Sequence, residues 1–121
     1  MKQITLDDIV KSSQVKEVQF EVPEWGGYLI LREMTAEARD AYEGSLLREN
    51  EKGEIERNLS NARAKMIAAC AIGPDGKRMF DNESKVNALG NQPNTIISRI
   101  FDKCRELNGM NVEDVEELAG N

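Results

Sequence analysis

Two cysteines and no histidine limit the chemistry available to this 121-residue chain. A Ser–His or Cys–His nucleophile pair needs an imidazole, and so does the commonest general base at neutral pH. A structural zinc site needs four cysteine or histidine ligands, and Cys70 and Cys104 supply two. Both cysteines fall on apolar faces of predicted helices, which indicates buried thiols in the core. We therefore expect no enzyme activity, no catalytic residue, no cofactor and no metal.

Lysine and carboxylate side chains are the remaining groups that could do chemistry, and the spacing of the carboxylates does not favour it. The acidic pairs at 7–8 and 116–117 are adjacent in sequence, so their members point in different directions on a helix. Both pairs are interpreted as solvated charges. The segment 75–81 begins and ends with aspartate like a calcium loop, but Lys77 and Arg78 stand where oxygen ligands are needed. A tight turn is the simpler interpretation.

The chain is acidic, with 22 acids against 16 bases and a net charge of −6. A basic patch for nucleic-acid phosphates is missing, so we expect no nucleic-acid partner. The excess lies at the end of the chain: residues 106–121 hold five acids and no base. No apolar run is long enough to span a membrane, and the first residues do not form a secretory segment. The sequence thus predicts a cytosolic protein with no membrane partner.

The N-terminal third combines a short helix with a hairpin. Thr5 followed by Asp8 resembles a capped helical turn over about 5–11. Apolar residues then alternate with polar ones up to Val22, and a second apolar run begins at Tyr28. The glycines between the two runs lack the spacing of a phosphate loop. Because they separate two strand-like runs, they predict the turn of a β-hairpin over 15–32.

The rest of the chain has helical spacing. Thr35 is a candidate N-cap for a helix ending near Asn50, and a stripe from Ile55 to Ala69 predicts a second long helix. A turn at 73–76, a short helix starting at Asp81, and a helix over 93–108 follow. We expect an α+β fold: a mainly α-helical single domain with the N-terminal β-hairpin packed on several helices. Its parts are an N-terminal arm (1–12), the hairpin, a helical body (35–108) and an acidic C-terminal helix (111–121).

The hairpin carries the first candidate partner-binding surface. Its second strand is apolar on both faces, at Tyr28, Leu29 and Ile30. One face packs on the helices, and the other is covered either by further helices of the chain or by another subunit or partner. Trp25 either covers the end of the hairpin or anchors an interface. An edge strand is also a template for pairing, so we expect a homo-oligomer formed through the hairpin.

The C-terminal segment carries the second candidate surface. Val112, Val115 and Leu118 form a narrow apolar stripe, which suits an arm that docks reversibly. The acids beside this stripe are expected to face water and steer a basic partner; they are Glu113, Asp114, Glu116 and Glu117.

Four segments in series resemble a known family. They are Val-Pro-Glu-Trp-Gly-Gly at 22–27, Leu-Arg-Glu-Met-Thr at 31–35, Asp-Gly-Lys-Arg-Met-Phe at 75–80 and Leu-Asn-Gly-Met at 107–110. Their order and spacing look like those of the tail assembly chaperones of long non-contractile-tailed (lambda-like) bacteriophages, over roughly residues 15–121.

The resemblance implies a function in virion morphogenesis. Such a protein binds the tape measure protein in the host cytoplasm, recruits subunits of the major tail protein, and is absent from the mature virion. Members of the family are often also made as a longer frameshifted form that continues from the C-terminal segment. Two alternatives stay open: a structural head–tail connector or tail-terminator component retained in the virion, and a small regulator of a host enzyme.

Overall fold

The computed structural model describes residues 1–12 and 14–110, and their buried apolar side chains form one core. The N-terminal part contains helix α1 (Leu6–Ser12), strand β1 (Glu17–Val22), a 3₁₀ turn (Pro23–Trp25) and strand β2 (Gly27–Arg32). The remaining elements are α2 (Ala36–Gly44), β3 (Leu47–Glu49), β4 (Ile55–Arg57), α3 (Ala62–Cys70), β5 (Ala71–Ile72), α4 (Glu83–Gly90) and α5 (Asn94–Leu107). The α+β fold with an N-terminal hairpin packed on helices is confirmed.

The hairpin forms where its alternation predicts it. Strands β1 and β2 pair antiparallel with Val22 opposite Gly27, and β5 adds to the other edge of β2. Pro23 starts the 3₁₀ turn, and Gly26 closes it at φ +76°, a conformation that glycine adopts without steric cost. Glu24 in the turn accepts a hydrogen bond from Arg99 of α5 at 2.6 Å, which ties the tip of the hairpin to the helical layer.

The core lies between the inner face of this sheet and the helices. Leu29 and Leu31 of β2 are buried there, and Val18 and Phe20 of β1 pack against the same cluster. Helix α5 supplies the largest apolar stripe, and the whole face predicted from its sequence is buried. Those residues are Ile96, Ile97, Ile100, Phe101, Cys104 and Leu107.

The predicted helix over 35–50 is wrong in its second half. Thr35 caps α2 as expected, with its Oγ1 accepting from the Ala38 N–H at 3.1 Å, but the helix ends at Gly44. Residues 47–57 form the β3–β4 hairpin instead. The reason is local: Asn50 Oδ1 accepts from the N–H groups of Lys52 and Glu54, and Gly53 takes φ +76°. Such Asx bonds and a left-handed glycine favour a turn over a helix.

The predicted helix starting at Ile55 is also shorter than expected. Helix α3 begins only at Ala62, so Ile55 lies in β4 and Leu59 is exposed. Asn61 precedes α3 in the left-handed conformation, and its Nδ2 donates to Asn87 Oδ1 of α4 at 3.0 Å. The same amide lies so close to Gly90 that a Cβ there would collide with it, so glycine at this position leaves the Asn61 side chain room to reach Asn87.

Helix α4 is capped by Asn82, one residue after the aspartate expected to start it. Asn82 Oδ1 accepts from the Lys85 N–H at 2.9 Å. Asp81 is paired with the Lys85 side chain at 2.7 Å. The helix then stops at Gly90, as its sequence predicts.

One asparagine connects three elements at the end of α5. Asn108 Oδ1 accepts from the Met34 N–H at 2.7 Å, between β2 and α2. Its Nδ2 donates to the Cys104 carbonyl at 2.7 Å and lies 3.4 Å from Cys70 Sγ at the end of α3. Gly109 follows at φ +66° and reverses the chain, so that Met110 returns to the core.

Candidate partner-binding surfaces

The two thiols lie in the core, as their position on apolar helical faces predicts. Cys70 and Cys104 are free and buried where α3 and α5 meet. Hydrogen bonding to Cys70 and burial away from water both raise the pKa of the Cys104 thiol. A buried, protonated thiol is a poor nucleophile.

The segment 75–81 is built as a turn. Asp75 Oδ1 accepts from the Lys77 N–H at 3.0 Å, and Gly76 closes the turn at φ +80°. The carboxylate at position 75 is thus used within the loop. In the parts of the chain described here, no three His, Cys, Asp or Glu side chains form a group that could hold a metal ion.

The outer face of the β1–β2–β5 sheet presents an apolar centre to solvent. Tyr28 is 57% exposed, and Ile30 and Ile72 are half-buried neighbours across the β2–β5 pairing. Polar groups surround them: Gln19 lies opposite Ile30, and the polar residues at the ends of β1 flank the rest. We call the residues Tyr28, Ile30 and Ile72 the outer sheet patch. An apolar centre within a polar rim is the arrangement found at protein interfaces.

Four of the predicted binding residues lie on or near the hairpin, and the structure separates them. Tyr28 and Ile30 belong to the outer sheet patch, and Trp25 lies in the adjoining turn with 38% of its surface exposed. The assignment of Leu29 to a binding surface is corrected: only 7% of it is exposed, because it points to the opposite, inner face. The acidic residues predicted to steer a partner, at 113–117, lie outside the described residues.

The N-terminal arm is a second apolar surface. Thr5 and Asp8 form a reciprocal capping box, in which the Thr5 N–H donates to the carboxylate and Thr5 Oγ1 accepts from the Asp8 N–H. Leu6 and Val10 nevertheless remain 76% and 66% exposed. A helix this short is marginal in water without a surface to pack on. The amphipathic spacing of α1 can be seen in the sequence, but only the structure shows that its apolar residues are exposed.

A groove between α2, α3 and α4 is a third surface, and no sequence pattern pointed to it. It encloses about 530 Å³. Small apolar side chains line much of it; they include Ala38, Ala41, Ala68, Ala69 and Val86. Lys65 and Arg78 add two positive charges, and Glu83 adds a negative one. We call this surface the α2–α3–α4 groove.

Comparison with protein-family models, with curated proteins and with solved structures gave no match. Among the helices of residues 1–12 and 14–110, none is both long enough and apolar enough to cross a membrane. The three surfaces therefore have to be interpreted from their own geometry and chemistry.

Proposed function

We propose that this protein is a phage tail assembly chaperone, which binds the tape measure protein and recruits tail tube subunits while the tail is built. The observation that carries the proposal is the outer sheet patch beside Trp25. It is an aromatic and aliphatic surface on the sheet, and it is left open by the helices that cover the inner face.

The chemistry of this patch suits reversible binding of a helical, apolar partner. Tyr28 and Trp25 offer large contact areas at low conformational cost, and such aromatic residues dominate the binding energy of many interfaces. The polar rim and the net charge of −6 keep the free chaperone soluble. A tape measure protein is long and helical in the family that this chain resembles, so covering its apolar stripe needs a surface of this kind.

The segments that carry the resemblance support the proposal through the fold. Residues 22–27 form the hairpin turn, Thr35 caps α2, residues 75–80 form a turn, and Asn108 joins α5 to β2 and α3. Most of these residues serve turns, caps and packing, and Trp25 of the first segment is also exposed beside the outer sheet patch.

The test is co-expression with a tape measure protein and a major tail protein, followed by a pull-down. Ile30→Glu places a charge in the outer sheet patch and should abolish capture of the tape measure protein. Gln19→Glu is the matched control, because it adds the same charge at the position directly opposite on the same face. We expect the control to reduce capture far less.

Three results would contradict the proposal. The first is equal capture by Ile30→Glu and the unmodified chain, with the helical circular dichroism signal preserved in both. The second is capture of neither tail protein by the unmodified chain. The third is recovery of the protein in stoichiometric amount from purified virions, which would favour a connector or tail-terminator component.

A further inference from the structure

The β3–β4 hairpin has one face on which two apolar side chains alternate with two charges. In the antiparallel pairing of its strands, Leu47 lies opposite Arg57, and Glu49 lies opposite Ile55. Because side chains two residues apart in a strand share a face, all four point to the same side of the hairpin. Leu47 and Ile55 are 48% and 67% exposed there. We call Leu47, Glu49, Ile55 and Arg57 the β3–β4 outer face.

The opposite face of the hairpin is already used by the chain itself. Arg48 and Glu56 lie opposite each other and form an ion pair at 2.7 Å. At the base of the hairpin, Leu46 is buried in the core, and its carbonyl accepts from the Asn58 N–H at 2.7 Å. The hairpin is therefore attached to the body through this side, and the β3–β4 outer face points away from it.

The two charges of the β3–β4 outer face are left unpaired. Within the described part of the chain, neither Glu49 nor Arg57 has an ion-pair partner. The pairing register places these two charges at diagonal corners of the face, and Leu47 and Ile55 at the other two corners. A face with one charge of each sign can complement a copy of itself, which is the requirement for an interface with two-fold symmetry.

Symmetry selects one way to stack two copies of this face. A two-fold axis along the strands would place Leu47 on Arg57 of the second copy, and an axis across the strands would place it on Glu49. An axis through the two charged corners would place each charge on its own counterpart. Only the axis through Leu47 and Ile55 stacks apolar on apolar and opposite charge on opposite charge. The strands of the two copies then cross at about 90°, a known arrangement for packed sheets.

We propose that the β3–β4 outer face binds a second copy of this chain through that two-fold axis. Leu47 and Ile55 form the apolar centre, and Glu49 of each copy pairs with Arg57 of the other. Two exposed apolar residues per copy bury well under about 1,200 Å², so the dimer is weak and reversible. The outer sheet patch takes no part in it, so this proposal and the proposed chaperone function can fail independently.

The first experiment reverses the two charges one at a time and measures dimerisation of the full chain by sedimentation equilibrium. Glu49→Arg and Arg57→Glu each bring like charges together across the axis, and each should weaken dimerisation more than about tenfold. An equimolar mixture of the two variants should dimerise again, because every facing pair in the mixed dimer has opposite charges. The double variant, with both substitutions in one chain, should dimerise like the unmodified protein for the same reason.

Two matched controls make the same charge changes in the turn of the hairpin, off the β3–β4 outer face. Glu51→Arg and Lys52→Glu alter exposed residues of that turn. They change the net charge as the two test variants do, so general repulsion between acidic chains is the same in each comparison. We expect both controls to dimerise like the unmodified chain.

The second experiment locates the interface by following ¹⁵N amide signals as the protein is diluted. In the unmodified chain, signals of Leu47 and Ile55 should shift with concentration. Ile55→Thr keeps a β-branched residue in the strand and removes apolar surface, so it should reduce these shifts. Ile30→Glu, in the outer sheet patch, should leave them unchanged.

Three outcomes would overturn the proposal. One is a chain that stays monomeric, with hairpin signals that do not depend on concentration. Another is a mixture of Glu49→Arg and Arg57→Glu, together with the double variant, that dimerises no better than the single variants. The third is loss of dimerisation in Ile30→Glu and not in the hairpin variants, which would place the second copy on the outer sheet patch.

Discussion

The side chain of Asn108 connects α5 to the backbone after β2 and to the end of α3, and the substitution Asn108→Ala tests how much this connection stabilises the fold. The side chain accepts a hydrogen bond from the Met34 N–H at 2.7 Å and donates one to the Cys104 carbonyl at 2.7 Å. The contact of Nδ2 with Cys70 Sγ, at 3.4 Å, is weaker. The backbone at this position has φ −92°, so alanine fits without strain and the loss comes from the side chain.

The expected magnitude follows from these contacts. Each of the two short hydrogen bonds contributes about 1 kcal/mol net to the free energy of unfolding. The Met34 N–H is half-buried, and losing its acceptor adds about 1 kcal/mol of uncompensated desolvation. The sum is about 2–4 kcal/mol, which lowers the thermal midpoint of a domain of this size by roughly 8–16 °C.

The matched control is Asn91→Ala. Asn91 ends α4 with φ −90° and ψ 2°, almost the conformation of Asn108, which has φ −92° and ψ 7°. Its side chain is exposed and makes no hydrogen bond with other described residues. We therefore expect this substitution to change the free energy of unfolding by less than about 0.5 kcal/mol.

Thermal and urea unfolding followed by far-ultraviolet circular dichroism measures both variants. An unchanged urea m-value would show that the same surface unfolds in each. If Asn108→Ala lost no more stability than Asn91→Ala, the connection of α5 to β2 and α3 through this side chain would be refuted.

Three further predictions concern the core and the titrating groups. The side-chain hydrogen bond from Arg99 holds the pKa of Glu24 below its ordinary 4.5. The Arg99–Glu24 pair therefore stabilises the fold fully above pH 4.5, and this contribution is lost as the pH falls through the lowered pKa of Glu24. With no histidine, stability should be flat between about pH 5.5 and 8 in urea titrations and should decline below about pH 4. Cys70 and Cys104 should react with a thiol reagent in the native protein far more slowly than in urea, and fast native labelling would refute their burial. Leu31→Ala should cost about 2–5 kcal/mol because Leu31 is fully buried, and a loss below 1 kcal/mol in the urea titration would contradict this.

The sequence by itself determined the elements whose pattern has a single physical solution. The apolar stripe of α5 is buried as a set, because residues at this helical spacing share one face and that face packs on the core. The hairpin follows from alternation on both sides of a glycine turn, and Thr35 starts α2 because its hydroxyl satisfies an otherwise unpaired N–H. Each of these signals depends on neighbours within a few residues.

Residues 45–61 show where a local signal is not enough. Ile55 and Leu59 have helical spacing with the stripe of α3, yet both lie outside that helix. The polar side chains between Asn50 and Glu54 are compatible with a helix or a turn, and the bonds of Asn50 decide for the turn. Spacing alone shows which apolar residues would share one face of a helix. It does not show where the helix begins or which of those residues reach the core.

Tertiary structure alone decided which apolar surfaces remain open. Alternation places Leu29 and Ile30 on opposite faces of β2, but both are apolar, so the pattern of β2 does not choose between them; the pairing with β1 does, because Leu29 lies opposite Phe20 and Ile30 opposite Gln19. The α2–α3–α4 groove has no sequence signature, because its lining comes from segments far apart in the chain. Asn61 at the start of α3 donates to Asn87 of α4, and both asparagines line the groove, so one wall depends on a contact between residues 26 positions apart.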